Sequence, residues 1–137
     1  PNSWMVLRLR SSGLSPYINL AGNSLDLRGH ILQVGVPKTK GLHPAPSLYS
    51  HLVTTRNGQN QERFLTEIDR QLSEMGVSTE VRIEDRKSFT IHDKKVVGYS
   101  MQLLGLSDDE SIKVQEQGLG GRRKMGCGLF DPVEKEQ

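Results

Sequence analysis

Apolar and polar residues alternate in the first part of the chain with the period of two that is typical of β-strands. Residues 4–10 (WMVLRLR) alternate in this way and predict a half-buried strand. Residues 15–22 (SPYINLAG) carry helix start and stop signals and predict a short helix. Residues 25–36 hold two alternating runs that meet at Arg28-Gly29, which predicts a hairpin. Three prolines and a glycine in 37–46 predict a linker.

The second part of the chain changes between strand and helix periodicity. Residues 52–56 form a β-branched run, and Asn60 then precedes a helical stripe that ends at Gly76. The stripe consists of Phe64, Leu65, Ile68, Leu72 and Met75. Further strands are predicted at 79–84, with an extension through 88–92 left open, and at 95–106, where Val97, Tyr99, Met101 and Leu103 share a face.

The chain then returns to helix and ends in a predicted strand. Ser107 and Glu110 form a capping box, and Asp108 and Asp109 favour the first turn of a helix that ends near Gln117. A glycine-rich basic loop at 118–128 leads into a final predicted strand, MGCGLF.

The order from residue 47 onward is strand, helix, strand, strand, helix, strand. This order predicts an α+β fold with the ferredoxin-like βαββαβ unit, which many RNA-binding domains share. Residues 1–46 resemble the end of a second such unit, so we predict tandem ferredoxin-like lobes, 1–46 and 47–137, the first truncated at its N-terminus. Because Pro1 leads almost at once into an apolar run, we expect a longer protein.

Composition restricts the function classes. The chain has 137 residues and a formal charge of +2, which alone does not indicate nucleic-acid binding. No run approaches the ~20 apolar residues that span a bilayer, and no signal peptide is evident, so we expect no membrane partner and a cytoplasmic location. The single Cys127 excludes an internal disulfide and suits a reducing compartment.

The positive charge is concentrated in the loop GLGGRRKMGCGLF, where Arg122, Arg123 and Lys124 lie among five glycines. A dinucleotide or NTPase phosphate loop is excluded, because here a helix precedes the glycines and a strand follows. Two interpretations remain open: a mobile surface loop with solvated charges, or a loop that binds RNA phosphates through Arg side chains and backbone amides.

The stretch SDDESIKVQEQGLGGRRKMGCGLFDP resembles the C-terminal signature of the CRISPR-associated repeat-processing endoribonucleases. The similarity extends to LAGNSLDLRGHILQVGVP and LVTTR…FLTEIDRQLSEMG, which are similar to the Myxococcus-type variant of type I systems. The resemblance implies two ferredoxin-like lobes and a set of RNA-binding residues: Gly118, Gly120, Gly121, Arg122, Arg123, Lys124, Gly126 and Gly128.

This resemblance also implies a reaction and partners. Members of the family cleave repeat RNA without a metal ion or other cofactor, by attack of the RNA's 2′-hydroxyl on the adjacent phosphate, which leaves a 2′,3′-cyclic phosphate. The implied partners are the CRISPR repeat RNA hairpin, which is retained as product, and other subunits of an effector complex. The family's histidine base lies near the first helix of the first lobe, so no catalytic residue is assigned in this chain.

The chain's own candidates for chemistry are weak. His30, His43, His51 and His92 are dispersed, without paired acids or metal-site spacing, and are interpreted as surface or turn residues, with His30 and His51 the better catalytic candidates. Cys127 is predicted to be a buried, inert thiol. Tyr17, Tyr49 and Tyr99 suit core or boundary positions, and Arg8 and Arg10 fit an RNA surface and a solvated face equally well.

Two other functions therefore stay open beside the endoribonuclease. The same fold can serve as a non-catalytic RNA-binding subunit, or as a domain that binds a protein or a small regulatory ligand. An RNA-binding strand motif of the GFGFV kind is absent from the sequence, which disfavours ordinary single-strand recognition on the sheet.

Overall fold

The computed structural model describes residues 3–134 and divides the chain into two compact units, Pro1–Gly41 and Leu42–Gln137. The division falls within the predicted linker at 37–46. Each unit has its own antiparallel sheet, of two strands in the first and four in the second.

The first unit is built around a hairpin. A 3-10 turn at Ser11–Gly13 precedes helix α1 (Ser15–Ile18), and strands β1 (Ser24–Leu27) and β2 (His30–Gln33) follow. The predicted hairpin and short helix are confirmed. Arg28 and Gly29 both adopt positive φ, 53° and 88°, as a two-residue turn with the twist of its strands requires.

The predicted strand at 4–10 is wrong, because the structure has no strand there. Apolar side chains of this segment lie in solvent: Trp4 is 80% exposed and Val6 87% exposed. Alternation produces a strand only where a neighbouring chain supplies the hydrogen-bond ladder, and no described residue pairs with this segment. Trp4 instead lies beneath the Lys38 ammonium, 5.9 Å from the ring centroid.

The second unit is a complete ferredoxin-like βαββαβ fold. Its strands are β3 (Leu48–Thr54), β4 (Glu80–Ile91), β5 (Lys94–Leu104) and β6 (Asp131–Pro132), and its helices are α2 (Gln61–Glu74) and α3 (Asp108–Gln117). The spatial order β4-β5-β3-β6 is antiparallel throughout. The predicted α+β class and element order are confirmed here, including the extension of β4 through residues 88–91.

Both helices cover one face of this sheet. The predicted stripe of α2 buries Phe64, Ile68 and Leu72 against alternate residues of β5, and Val114 of α3 joins the same apolar cluster. The Phe64 and Tyr99 rings meet with centroids 4.5 Å apart. Burial of a large apolar side chain contributes about 1.5–3 kcal/mol, so this layer holds both helices against the sheet.

The predicted helix starts are confirmed in atomic detail. The Asn60 side chain accepts a hydrogen bond from the Arg63 amide at 3.1 Å. Ser107 and Glu110 complete the capping box, with reciprocal bonds of 3.2 and 3.0 Å. Glu110 also accepts the Ser78 amide at 2.7 Å, and these backbone bonds hold the pKa of its carboxyl below the ordinary value.

The predicted final strand, MGCGLF, is wrong. Arg123–Met125 forms a 3-10 turn, and pairing with β3 begins only at Asp131. The two glycines of MGCGLF, Gly126 and Gly128, and the turn break the alternation that a strand needs. Cys127 is buried as predicted, but in a loop, and its burial raises the pKa of the thiol.

Candidate nucleic-acid interface

The glycine-rich loop runs from the end of α3 to β6 and lies against the carboxyl end of β3. It touches that strand at two points. The Gly121 amide donates to the Thr54 carbonyl at 2.8 Å, and the Gly128 amide donates to the Leu52 carbonyl at 2.8 Å. The Leu119 amide donates to the Gly128 carbonyl at 3.1 Å and closes the base of the loop.

Three glycines of this loop lie where the chain packs against itself. Gly118, Gly120 and Gly128 adopt φ of 68°, 75° and 70°. A Cβ added to any of them would lie closer than 3.0 Å to a backbone oxygen of the same domain. The need for glycine at these positions therefore comes from close approach to the protein's own backbone. Their predicted contact with RNA stays a prediction.

Gly121 and Gly126 differ from these three. A Cβ on Gly121 would lie 3.9 Å from the Thr54 carbonyl oxygen, an ordinary contact, and one on Gly126 would meet no atom within 4 Å. Gly126 has φ of 88°, which favours glycine whatever its surroundings.

The three basic side chains of the loop have different environments. Arg123 donates to the Gln117 carbonyl at the end of α3. The aliphatic part of its side chain packs beside Gly118 and Gly128. A cation here caps the last turn of the helix. Arg122 and Lys124 are exposed and make no ion pair within residues 3–134. Arg122 also holds a left-handed backbone, φ 55° and ψ 32°.

Backbone amides divide in the same way. Those of Gly120, Gly121 and Gly128 donate to protein acceptors, with Gly120 bonded to the Gln71 side chain at 2.8 Å. The amides of residues 122–124 donate no hydrogen bond to any described residue. The exposed tip, rather than the glycine base, therefore offers the loop's available donors.

A polar cleft of about 1040 Å³ opens beside this loop. Gly120, Gly121 and Arg122 form one wall, and the turn between β3 and α2 forms another. This turn is fixed by packing: Tyr99 donates from its hydroxyl to the Gly58 carbonyl at 2.9 Å. Sequence reasoning missed the turn, although Arg56 at a strand end and Arg63 in the first turn of the next helix signalled it.

The candidate histidines lie elsewhere. His43, His51 and His92 are exposed, none of them lines the cleft, and His92 occupies the β4–β5 turn with φ of 46°. His30 lies in the hairpin of the first unit. In the part of the chain that the structure describes, no three His, Cys, Asp or Glu residues are grouped to hold a metal ion. None of the helices described there is long and apolar enough to cross a membrane.

Comparison with known proteins identifies the family. The family model described as Cas6 Crispr matches residues 1–135. The chain belongs to the Cas6 family. This confirms the resemblance drawn from the sequence.

A curated relative and a solved structure extend the comparison. The CRISPR-associated endonuclease Cas6 of Myxococcus xanthus (strain DK1622) is 39% identical to the Cas6-family chain over 128 residues, 93% of this chain and 56% of the relative. The chain thus spans about half the length of that relative. A solved structure described as the characterization of a Cas6-related gene from Pyrococcus furiosus is similar over 91% of this chain and 62% of the solved chain, with 13% sequence identity and a TM-score of 0.48.

Proposed function

We propose that the protein is an endoribonuclease that cleaves precursor CRISPR RNA at its repeats and binds the repeat backbone through the tip of the glycine-rich loop. Membership of the Cas6 family carries this proposal, together with the name of the Myxococcus relative, an endonuclease. Arg122 and Lys124, which are exposed and in no ion pair with residues 3–134, support the proposed contact, because an Arg side chain recognises phosphate with two parallel hydrogen bonds.

The proposed reaction uses the substrate's own nucleophile. The 2′-hydroxyl loses its proton and attacks the adjacent phosphorus, the bond to the 5′-oxygen of the next nucleotide breaks, and that oxygen takes a proton. The products are a 2′,3′-cyclic phosphate and a free 5′-hydroxyl. Positive charge near the phosphorane lowers the barrier, and Arg122 and Lys124 are the proposed source. The general base and acid are left unassigned.

The proposal includes the protein's surroundings. The enzyme acts in the cytoplasm, remains bound to the product hairpin after cleavage, and joins other subunits of an effector complex. Product retention and the effector subunits rest on the family resemblance of the sequence, and the location rests on the composition, which has no bilayer-spanning apolar run and a single cysteine.

A substitution in the RNA tests the chemistry. We expect the intact protein to cleave repeat RNA in excess EDTA, and to stop when a single 2′-deoxynucleotide precedes the scissile phosphate. The matched control is a 2′-deoxynucleotide two positions away, which should be cleaved at the normal rate. Mass spectrometry of the 5′ fragment should detect the cyclic phosphate. Activity that is lost in EDTA and restored by Mg²⁺ would contradict this mechanism.

A second candidate is a non-catalytic RNA-binding subunit with the same loop. It is favoured by one observation: within the described residues, no histidine lines the cleft or lies in the loop. Repeat RNA that is bound tightly by the intact protein but recovered uncut after long incubation would support this candidate over the enzyme.

A further inference from the structure

The cleft beside the glycine-rich loop carries more positive charge than the loop alone supplies. Its lining includes four cationic side chains, Arg56, Arg63, Lys95 and Arg122. They come from four separate elements: the end of β3, the first turn of α2, the start of β5 and the loop. All four are exposed, and none is in an ion pair with a described residue. Four cations that line one cleft and have no ion-pair partner among the described residues repel one another, so the arrangement favours an anionic ligand.

The cleft's one acidic side chain does not cancel this charge. Glu67 lines the cleft, but its carboxylate accepts from Arg70 at 2.6 Å and from Gln71 at 2.7 Å. The hydrogen bond with Arg70, followed by that with Gln71, lowers the pKa of Glu67 to about 2. Arg70, which is outside the cleft lining, also pairs with Glu74, so it offsets the charge of Glu67 only in part. Even counted in full, Glu67 is one carboxylate against four cationic side chains. The cleft keeps a net positive charge, reinforced by the N-terminal end of the 14-residue helix α2.

The lining also has unused hydrogen-bonding capacity. Asn57 and Gln59 contribute side-chain amides and Thr55 a hydroxyl, while the Asn60 side-chain oxygen is already bonded to the Arg63 amide. The Thr55 hydroxyl is buried without a hydrogen-bond partner in the described part of the chain, and a buried polar group without a partner is destabilising. The lining contains no aromatic side chain, so it offers no surface on which a base would stack.

These features select a ligand class. A volume of about 1040 Å³ is at the upper end for sites that enclose small molecules, so the cleft has room for a few nucleotides but not for a duplex. Because Gly120, Gly121 and Arg122 form its wall, a strand that contacts the loop tip would continue into the cleft. We propose that the cleft binds the phosphodiester backbone of a single-stranded RNA segment flanking the repeat hairpin, without reading its bases. This inference rests on the proposed function, since the loop must first hold the hairpin.

Three RNA probes test the inference with the intact protein: a repeat hairpin without flanks, the same hairpin with an eight-nucleotide single-stranded flank on either end, and the flank alone. The variant Arg56→Ala/Arg63→Ala/Lys95→Ala removes three cleft cations and leaves the loop unchanged. Lys94→Ala is the matched control, since Lys94 neighbours Lys95 on β5 but does not line the cleft.

The measured quantity is the ratio of Kd for the bare hairpin to Kd for the better flanked hairpin. Each phosphate contact to a single strand is worth about 5-fold at 0.1 M salt. We therefore expect a ratio of about 10–100 for the wild type and for K94A, and a ratio within about 2 of unity for the triple variant. The salt slope for the flanked hairpin should fall by about 2 in the triple variant. Exchanging the flank's base sequence should leave the ratio unchanged.

Each outcome decides one proposal. A wild-type ratio near 1, or equal loss of bare and flanked hairpin binding in the triple variant, would overturn the assignment of the cleft to a flank. A ratio that depends on flank sequence would overturn backbone recognition. If the wild type fails to bind either hairpin, the proposed function fails; binding of the flank alone, lost in the triple variant, would still support the cleft. Circular dichroism should find all variants folded.

Discussion

Gly120 and Gly121 are adjacent, but the structure predicts that a methyl group lowers the stability of the domain at Gly120 and hardly changes it at Gly121. Gly120 has φ of 75°, and its added Cβ would lie closer than 3.0 Å to the Thr54 carbonyl oxygen. Gly121 lacks a positive φ, and its Cβ would lie 3.9 Å from that oxygen. Gly120→Ala should therefore destabilise the domain, whereas Gly121→Ala should leave its stability nearly unchanged.

The magnitude follows from three contributions. A left-handed backbone costs an alanine about 1–2 kcal/mol. Relief of the overlap with Thr54 pulls the loop from β3, which weakens the hydrogen bonds from the Gly120 and Gly121 amides, each worth about 1 kcal/mol. The expected loss for Gly120→Ala is about 2–4 kcal/mol. In a domain of this size, that loss lowers Tm by roughly 10–25 °C.

The assay compares thermal and urea unfolding of the intact wild type, G120A and G121A, followed by repeat-RNA affinity at a temperature where all are folded. G121A should unfold within a few degrees of the wild type. If its methyl group also weakens RNA binding, close approach of RNA at Gly121 is supported. A Tm of G120A within 2 °C of the wild type would refute the structural account of this glycine.

Two further predictions concern charged side chains. Arg122→Ala and Lys124→Ala should each reduce the salt slope of RNA binding by about 0.7 per lost phosphate contact, whereas Arg123→Ala should chiefly lower Tm, because Arg123 caps α3; the reverse division would contradict the geometry. Glu67 has a pKa of about 2 in the folded state, below the ordinary 4.5, so its stabilising contribution is complete above pH 4.5 and is lost as the pH falls toward 2. Urea unfolding across that interval should therefore find a smaller loss of stability for Glu67→Gln than for the wild type, and an equal loss would contradict this account.

The second unit could be predicted from sequence because its signals are local. The α2 stripe, the Ser107 capping box and the alternation of β5 each depend on residues a few positions apart, and all were found. The strand prediction at 4–10 was wrong because a strand also needs a neighbouring strand to pair with, and alternation does not supply one. The strand predicted at MGCGLF is absent because Gly128 packs against the Leu119 carbonyl, a contact that the pattern of residues does not reveal.

The candidate site was predicted in part for the same reason. The basic triplet was visible as a run, but the run did not reveal that Arg123 is engaged with α3 while Arg122 and Lys124 are not. The cationic cleft was missed because Lys95 and Arg122 are far in the chain from Arg56 and Arg63, and these residues come to line one cleft only when the domain folds. Charge clusters formed by tertiary structure leave no contiguous signal.

The glycine-rich loop is attached to β3 at two points, and these attachments decide which of its residues can be substituted without loss of the fold. Gly121 and Gly128 are bonded to the strand, so the entropy of ordering the segment between them is lost during folding rather than on binding. Side chains at 122, 124 and 125 project from a fixed frame into solvent. Substitution there alters the surface offered to a ligand at little risk to the core, whereas drift at Gly120 or Gly128 is opposed by folding itself. Within the eleven residues 118–128 the loop thus combines positions where folding requires glycine with exposed positions where folding leaves the side chain free to vary.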